Sequence, residues 1–310
     1  MIPTAVPVTP EDWSDLELDP ANFFLLDPAV AGGIGNDKFD RELVQLEWRT
    51  GDPVEVYIIR PKGVVNPPVV LYLYDYRENL DRFKDNRFCE RLVAGGYAAV
   101  GFEPALAIDR FRSGRPMKEW FVSELQESLG KSVHDVQLVL NYIESRKDLD
   151  VSHVGIFGQG SGGAIAILSA GIDPRLKAVD TLNPWGDWRD WLAKSAVIPE
   201  NERPNYLKPE FLAKVKTLDP TDWLPKLKAS ALRLQFVTGN ASVPQSAMEQ
   251  METDAAHDTA TLHFTVTHYK DTRDLIQQTD GGRLFDWIKT RLQSDSKPTE
   301  AASGIAAAIR

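Results

Sequence analysis

The residues best suited to chemistry lie in one glycine-rich stretch near the middle of the chain. Residues 154–168 read VGIFGQGSGGAIAIL and contain five glycines, and Ser161 stands between the third and the fourth of them. An apolar run precedes these glycines and an apolar, helix-forming run follows them, which predicts a strand, a tight turn and a helix in direct succession. A turn of this kind can hold a serine hydroxyl at the carboxyl edge of a parallel sheet, where the oxygen can attack an acyl carbon.

A nucleophilic serine needs a base and an acid that orients the base. His268 directly follows an alternating run at 262–267 and is the candidate base, with an ordinary loop histidine as the alternative. The segment after the run at 232–237 reads TGNASVP and contains no carboxylate. Asn240 in that segment can orient an imidazole but cannot stabilise its charged form as an aspartate does. Asp187 is therefore the substitute acid that the sequence offers, and the alternative is that it is a solvated residue.

The pattern along the chain predicts an α/β fold with a doubly wound, mostly parallel sheet that has an antiparallel start. Two β-like runs joined by the turn signal TGDP form a starting hairpin, and later strand-like runs alternate with helical ones. Strands are predicted at 43–48, 54–59, 69–74, 97–102, 154–157, 176–182, 232–237 and 262–267. Helices are predicted at 81–94, 120–146, 164–171, 245–253 and 283–292.

The chain is predicted to form one large domain with an extension at each end. Residues 1–40 are rich in Pro and Asp, which indicates an irregular arm, and residues 41–293 form the α/β domain. Residues 294–310 are rich in Ser, Ala and Lys without any periodic pattern, and they are predicted to be a disordered tail.

An insertion is predicted where the strand pattern breaks, between about residues 183 and 226. Trp185, Trp188 and Trp191 lie there among Pro, Asp and Lys, which indicates a helical, tryptophan-rich lid over the carboxyl edge of the sheet. The three tryptophans are candidates for the wall of a ligand-binding pocket, and the alternative is that they pack as the core of the lid.

The glycine-rich stretch resembles the nucleophile turn of the α/β-hydrolase superfamily, whose motif is G-x-S-x-G-G. The segment that leads into it, DVSHVGIFGQ at 150–159, is similar to that of the dienelactone hydrolases, acetyl esterases and peptidase-like members of the superfamily. The resemblance covers roughly residues 43–292, so it implies this fold for most of the chain. The activity that it implies is hydrolysis of esters or related acyl substrates.

The alignment of the motif decides which residue takes the nucleophile position. If Gly158 is the first glycine of the motif and residues 162–163 are the last two, that position falls on Gly160 and not on Ser161. The alternative alignment, with Ser161 as nucleophile, places Gln159 where a side chain collides with the turn, so the first is favoured. A serine at this corner is held in unfavourable backbone angles at a cost of about 1–3 kcal/mol, whereas glycine adopts them freely.

The resemblance also implies an oxyanion hole formed by the backbone N–H groups of Ser161 and Tyr76. The His-Gly pair that is usual in the loop at Tyr76 is replaced by Tyr74-Asp75-Tyr76. A carboxylate that points inward at Asp75 would oppose an oxyanion, so Asp75 is a candidate ligand-binding residue and a second departure from acyl-transfer chemistry.

Two functions remain open at this point. The favoured one is a catalytically degenerate hydrolase that binds a small ligand or a partner through the old active-site pocket. The alternative is an active serine hydrolase of ester or acyl substrates that uses Ser161 and His268. A third possibility, an engineered replacement of a working serine by Gly160, is disfavoured because the acid after 232–237 is missing as well.

Composition excludes several other classes of function. The 310 residues carry a net charge of −10, which disfavours nucleic acid as a partner because phosphate neutralisation needs clustered Lys and Arg. No apolar run approaches the roughly 20 residues that span a bilayer, so no membrane partner is expected. Cys89 is the only cysteine, and we expect a small buried side chain there rather than a disulfide.

No cofactor and no metal are predicted, because the chain has no CxxC, HExxH or His/Cys cluster. The amino-terminal sequence lacks the pattern of a signal peptide, which favours a cytoplasmic protein; a secreted protein whose leader had been removed would look the same. A monomer or a homodimer fits these observations.

Overall fold

The computed structural model describes residues 11–18, 28–49, 52–107, 110, 121–257 and 262–294. The strands are β1 (Ala29–Gly33), β2 (Phe39–Arg49), β3 (Asp52–Pro61), β4 (Pro68–Leu73), β5 (Ala98–Phe102), β6 (Asp150–Gln159), β7 (Leu176–Leu182), β8 (Ala231–Val237) and β9 (His263–Tyr269). The α-helices are α1 (Asn86–Val93), α2 (Leu125–Ser145), α3 (Ser161–Ile172), α4 (Trp188–Lys194), α5 (Arg203–Tyr206), α6 (Pro209–Val215), α7 (Pro220–Trp223), α8 (Gln245–Ala255), α9 (Thr272–Thr279) and α10 (Asp286–Ser294).

All of these strands join one nine-stranded sheet in the order β1-β2-β3-β5-β4-β6-β7-β8-β9. The first three strands pair antiparallel, as do β3 and β5. The remaining pairs, from β5 through β4 to β9, are parallel. The predicted fold class is confirmed: a mostly parallel, doubly wound sheet with an antiparallel start.

The central strands are buried on both sides because helices cover both faces of the sheet. Strands β4, β5 and β8 carry almost no exposed residue. One face packs against α2, α3 and the insertion, while the other packs against α1 and α10. Cys89 on α1 is fully buried, as the sequence indicates. The carboxyl ends of β4, β6 and β7 therefore meet at one edge of the sheet, where the glycine-rich turn lies.

The described part of the predicted irregular arm contains a strand. β1 pairs antiparallel with β2, and all five of its residues are exposed. The sequence hides this strand because its pairing uses backbone groups alone and leaves no alternation of buried and exposed side chains. The predicted disordered tail lies, apart from its first residue, outside the described residues.

The insertion between β7 and β8 is helical, as predicted, and contains α4, α5, α6 and α7. Trp185, Trp188 and Trp191 are each at most 1% exposed, which favours the alternative that they pack as the core of the lid. The rings of Trp185 and Trp191 lie 4.5 Å apart, and those of Trp188 and Trp191 lie 5.6 Å apart. The indole N–H groups of Trp188 and Trp191 donate to the carbonyls of Leu218 and Ser242. The three rings thus fill the core of the lid.

A cluster of charged side chains, formed by Glu11, Arg49 and His134, holds the amino-terminal segment against the sheet and α2. The carboxylate of Glu11 accepts two hydrogen bonds of 2.7 Å from the guanidinium of Arg49. His134 on α2 lies 2.5 Å from the same carboxylate through Nδ1, and its Nε2 lies 2.9 Å from the carbonyl of Asp15. Burial alone would raise the pKa of Glu11, but the hydrogen bonds from His134 and Arg49 outweigh it and lower that pKa to about 2.

We predict that this charged cluster makes the free energy of unfolding depend on pH in the acid range. The pKa of Glu11 is lower in the folded chain than its usual value of 4.5, so its contribution is present above that pH and is lost as pH falls towards 2. Glu11→Gln should lower the free energy of unfolding at neutral pH and flatten its decline in that acid range, as measured by urea unfolding. Glu17→Gln changes an exposed acid of the same segment and should do neither. An equal acid dependence in Glu11→Gln would contradict the prediction.

A buried ion pair ties β7 to β8 on the face covered by α10. The guanidinium of Arg233 donates to both oxygens of Asp180 at 2.8 and 2.7 Å, and Gln235 donates to the same carboxylate at 2.9 Å. Tyr269 on β9 donates to the side-chain oxygen of Gln235 at 2.7 Å. Asp180 is fully buried, so its charge depends on these partners rather than on water.

We predict that Asp180→Ala lowers the free energy of unfolding by about 3–5 kcal/mol, because it leaves the charge of Arg233 buried without its partner. Urea unfolding of the variant measures the loss. Asp81→Ala removes the carboxylate from an exposed ion pair with Lys84 and should leave the unfolding midpoint unchanged. Equal losses of unfolding free energy in the two variants would contradict the prediction, because the buried ion pair would then contribute no more to stability than the exposed one.

Candidate active site

The turn between β6 and α3 is built around Gly160. Its φ of 57° and ψ of −120° lie in a region that residues with a side chain rarely adopt. The Gly160 N–H donates to the carbonyl of Leu182 at 3.0 Å, and its carbonyl accepts from the N–H groups of Gly163 and Trp185 at 3.0 and 3.2 Å. Neighbouring strands and the lid therefore fix this corner from both sides.

The glycines on either side of the corner allow α3 to cross the strands closely. A Cβ atom at Gly158 would lie 2.3 Å from the carbonyl oxygen of Gly162, and one at Gly162 would lie 2.5 Å from that of Leu73. Neither position has room for a side chain, so the G-x-G-x-G spacing is a packing requirement of the contact between α3, β4 and β6.

Asp75, in the loop after β4, places its carboxylate against Gly160. A Cβ atom at Gly160 would lie 1.9 Å from Asp75 Oδ2, so the carboxylate fills the space in which a side chain at this corner would begin. Oδ2 accepts a 3.4 Å hydrogen bond from the N–H of Ser161. Burial raises the pKa of Asp75, and the backbone hydrogen bonds together with Arg77 offset this only in part.

Ser161 is the first residue of α3, and its side chain is turned into the protein. The residue is 1% exposed, and its Oγ accepts a 2.8 Å hydrogen bond from the N–H of Tyr76. The N–H groups of Tyr76 and Ser161 are the two predicted oxyanion donors. Each therefore has an acceptor within the protein: Ser161 Oγ in the first case and Asp75 Oδ2 in the second.

His268 lies within β9 rather than in the loop after it. The strand extends further than the sequence predicts because β8 and β9 pair Phe236 with His268 and Val237 with Tyr269. The Nε2 of His268 lies 3.0 Å from Oε1 of Glu252 on α8. In the described part of the chain no hydrogen bond joins His268 to Ser161.

The candidate acids serve local structure. Asn240 Oδ1 accepts hydrogen bonds from the N–H and the hydroxyl of Ser242 at 2.9 and 2.7 Å, which closes a turn. Asp187 has a positive φ of 53° and caps α4 by accepting from the N–H of Asp190. Burial raises the pKa of Asp187. Among the described residues, neither side chain is bonded to His268.

Sequence reasoning missed two features of this site. Nothing in the pattern of α8 indicates that Glu252 faces His268, since that contact depends on how the helix packs. The hydrogen bond from Tyr76 N–H to Ser161 Oγ also depends on packing. The only sequence signal near this hydrogen bond is the Tyr74-Asp75-Tyr76 segment, because a carboxylate in this loop indicates that its N–H groups have unusual neighbours.

No helix within the described residues is long and apolar enough to cross a membrane. Those residues also hold no group of three or more His, Cys, Asp or Glu side chains that could bind a metal ion.

We predict that Asp75 and Gly160 are energetically coupled. Gly160→Ala should lower the free energy of unfolding by more than the roughly 1–3 kcal/mol of backbone strain, because the added Cβ meets the carboxylate. In an Asp75→Ala background the same substitution should cost less, with a coupling energy of about 1 kcal/mol or more in a double-mutant cycle. Urea unfolding of the original chain, the two single variants and the double variant measures this coupling energy. Additive effects would mean that the carboxylate does not occupy this space.

The order of strands and the strand–turn–helix at Gly160 define the α/β-hydrolase class. Residues 54–208 match the model of the Dienelactone hydrolase family, and the chain belongs to that family. A stretch of 155 residues is 26% identical to "Putative hydrolase YtaP" of Bacillus subtilis (strain 168), covering 44% of this chain and 50% of that protein. The chain therefore spans about half the length of this relative.

Solved structures with the same fold include hydrolases of several kinds. The acetyl xylan esterase from Paenibacillus sp. R4 is 15% identical, with a TM-score of 0.65, over 86% of this chain and 89% of that one. The acylaminoacyl peptidase of Pyrococcus horikoshii is 14% identical, with a TM-score of 0.63, over 87% of this chain and 44% of that one. At these identities the likeness establishes the fold alone.

Proposed function

We propose that this chain is a non-catalytic member of its family, which binds a small ligand or a partner at the old active site without hydrolysing it. The observation that carries the proposal is the geometry of the corner. Gly160 has the strained angles that the fold reserves for its nucleophile, and Asp75 fills the space of the absent side chain.

The crossing of α3 over the strands supports the alignment in which Gly160 takes the nucleophile position. Gly158 and Gly162 make the tight contact that the first glycine and a later glycine of the family motif make around the nucleophile. Ser161 follows the corner and belongs to the first turn of α3, where its hydroxyl is buried.

A second observation supports the proposal: both predicted oxyanion N–H groups already donate to acceptors within the protein. A tetrahedral intermediate needs N–H groups aimed at its negative oxygen, at 2.7–3.1 Å. Here Tyr76 N–H donates to Ser161 Oγ, and the carboxylate of Asp75 lies beside Ser161 N–H. A negative oxygen in this place would be repelled by the carboxylate and would have to displace both bonds.

The competing function is a serine hydrolase that uses Ser161 and His268. It requires Ser161 Oγ to leave the N–H of Tyr76 and to become exposed. It also requires His268 to leave Glu252 and to reach across to α3. An acid is still needed to orient the imidazole, and Asn240 and Asp187 are both engaged in local turns.

The test is hydrolysis of p-nitrophenyl acetate by the purified full-length chain. We expect the rate of hydrolysis to equal the spontaneous rate in buffer, and to be unchanged in Ser161→Ala and in His268→Ala. Ser152→Ala, at an exposed serine on the approach strand, is the matched control. Gly160→Ser should not restore activity by itself, because its Cβ would meet Asp75.

Robust hydrolysis that Ser161→Ala abolishes and Ser152→Ala does not would overturn the proposal. Loss of that activity in His268→Ala as well would establish the serine–histidine alternative.

A further inference from the structure

The carboxylate of Asp75 is poorly coordinated for a half-buried charged group. Its two oxygens accept only long backbone hydrogen bonds, of 3.4 Å from Arg77 N–H and 3.4 Å from Ser161 N–H. Within the described part of the chain it forms no ion pair. By contrast, Asp148 accepts bonds of 2.6 Å from both Arg60 and Arg146. Buried charges are normally paired, so Asp75 has unused capacity to accept hydrogen bonds.

The nearest cation is directed elsewhere. The Nε of Arg77 donates to the hydroxyl of Tyr76 at 2.5 Å, and its guanidinium lies over that ring, with Cζ 5.1 Å from the centroid. Arg77 lowers the pKa of Asp75, yet the effect of burial prevails. The charge of the carboxylate is therefore balanced only in part by the protein.

Asp75 is also partly accessible from solvent. Asp75 is half-buried rather than enclosed, and Gly160 offers no side chain to cover it. The ring of Tyr76 beside it packs edge-on against Trp185 at 5.5 Å. Both rings are buried, so the group that remains available to a cationic ligand is the carboxylate itself, which can accept charge-assisted hydrogen bonds.

We propose that Asp75 converts the old oxyanion site into a binding site for the ammonium group of an organic amine. This rests on the proposed function, namely that the site binds a ligand without hydrolysing it. The sign of the local charge is opposite to that expected of an oxyanion site, since a carboxylate accepts from Ser161 N–H, one of the two N–H groups that would receive an anion. A ligand ammonium would donate charge-assisted hydrogen bonds to Asp75, whereas a carboxylate or phosphonate would meet repulsion.

The test uses three probes of one shape and different charge: benzylammonium, benzyl alcohol and benzoate. Isothermal titration calorimetry at neutral pH and low salt, with the full-length chain, gives their affinities. We expect benzylammonium to bind about tenfold or more tightly than either other probe, the range of one hydrogen bond to a charged group. Asp75→Asn should remove that preference.

Two further variants keep the test sharp if Asp75→Asn folds poorly. Arg77→Ala removes the competing cation at an exposed position and should tighten benzylammonium binding several-fold. Asp81→Asn neutralises an exposed carboxylate of the same loop region and should leave binding unchanged. Preference for benzoate, no binding of benzylammonium, or equal effects of Asp75→Asn and Asp81→Asn would overturn the assignment.

The ester assay separates this inference from the proposed function. A chain that neither hydrolyses p-nitrophenyl acetate nor binds benzylammonium contradicts only the ammonium site. A chain whose hydrolysis depends on Ser161 contradicts the proposed function itself.

Discussion

The close crossing of α3 over β4 and β6 is the constraint on which this site depends. It brings a backbone carbonyl within 2.3 Å of where a Cβ of Gly158 would be, and it directs the amino terminus of α3 at the loop after β4. The first free N–H of a helix attracts negative charge. In this chain a side chain, Asp75, supplies that charge, and the corner at Gly160 leaves space for it.

Once the carboxylate lies there, the neighbouring groups follow from hydrogen-bond satisfaction. Ser161 N–H has an acceptor in Asp75, and Tyr76 N–H has one in Ser161 Oγ. The serine that first attracts notice in the sequence therefore closes a contact between the β4 loop and α3. Its hydroxyl oxygen is held in place by accepting the hydrogen bond from Tyr76 N–H.

The fold could be predicted from the sequence because its signals are local. The run of β4 is apolar on both faces, and the TGDP turn and the glycine corner mark the hairpin and the crossing. The exposed strand β1 could not be predicted, since its pairing involves no buried side chain. The position of His268 could not be predicted either, because the register between β8 and β9 decides that it belongs to the strand and faces Glu252. The lid was expected from its composition, but whether its tryptophans face a ligand or one another depends on packing alone.

The 1.9 Å approach of Asp75 Oδ2 to the position of a Cβ at Gly160 also makes the two positions dependent on each other. A side chain at position 160 would meet the carboxylate, so the effect of any substitution there depends on the residue 85 positions earlier in the chain. The two residues therefore behave as one unit of sequence, in which a larger residue at position 160 requires a smaller or differently directed side chain at position 75.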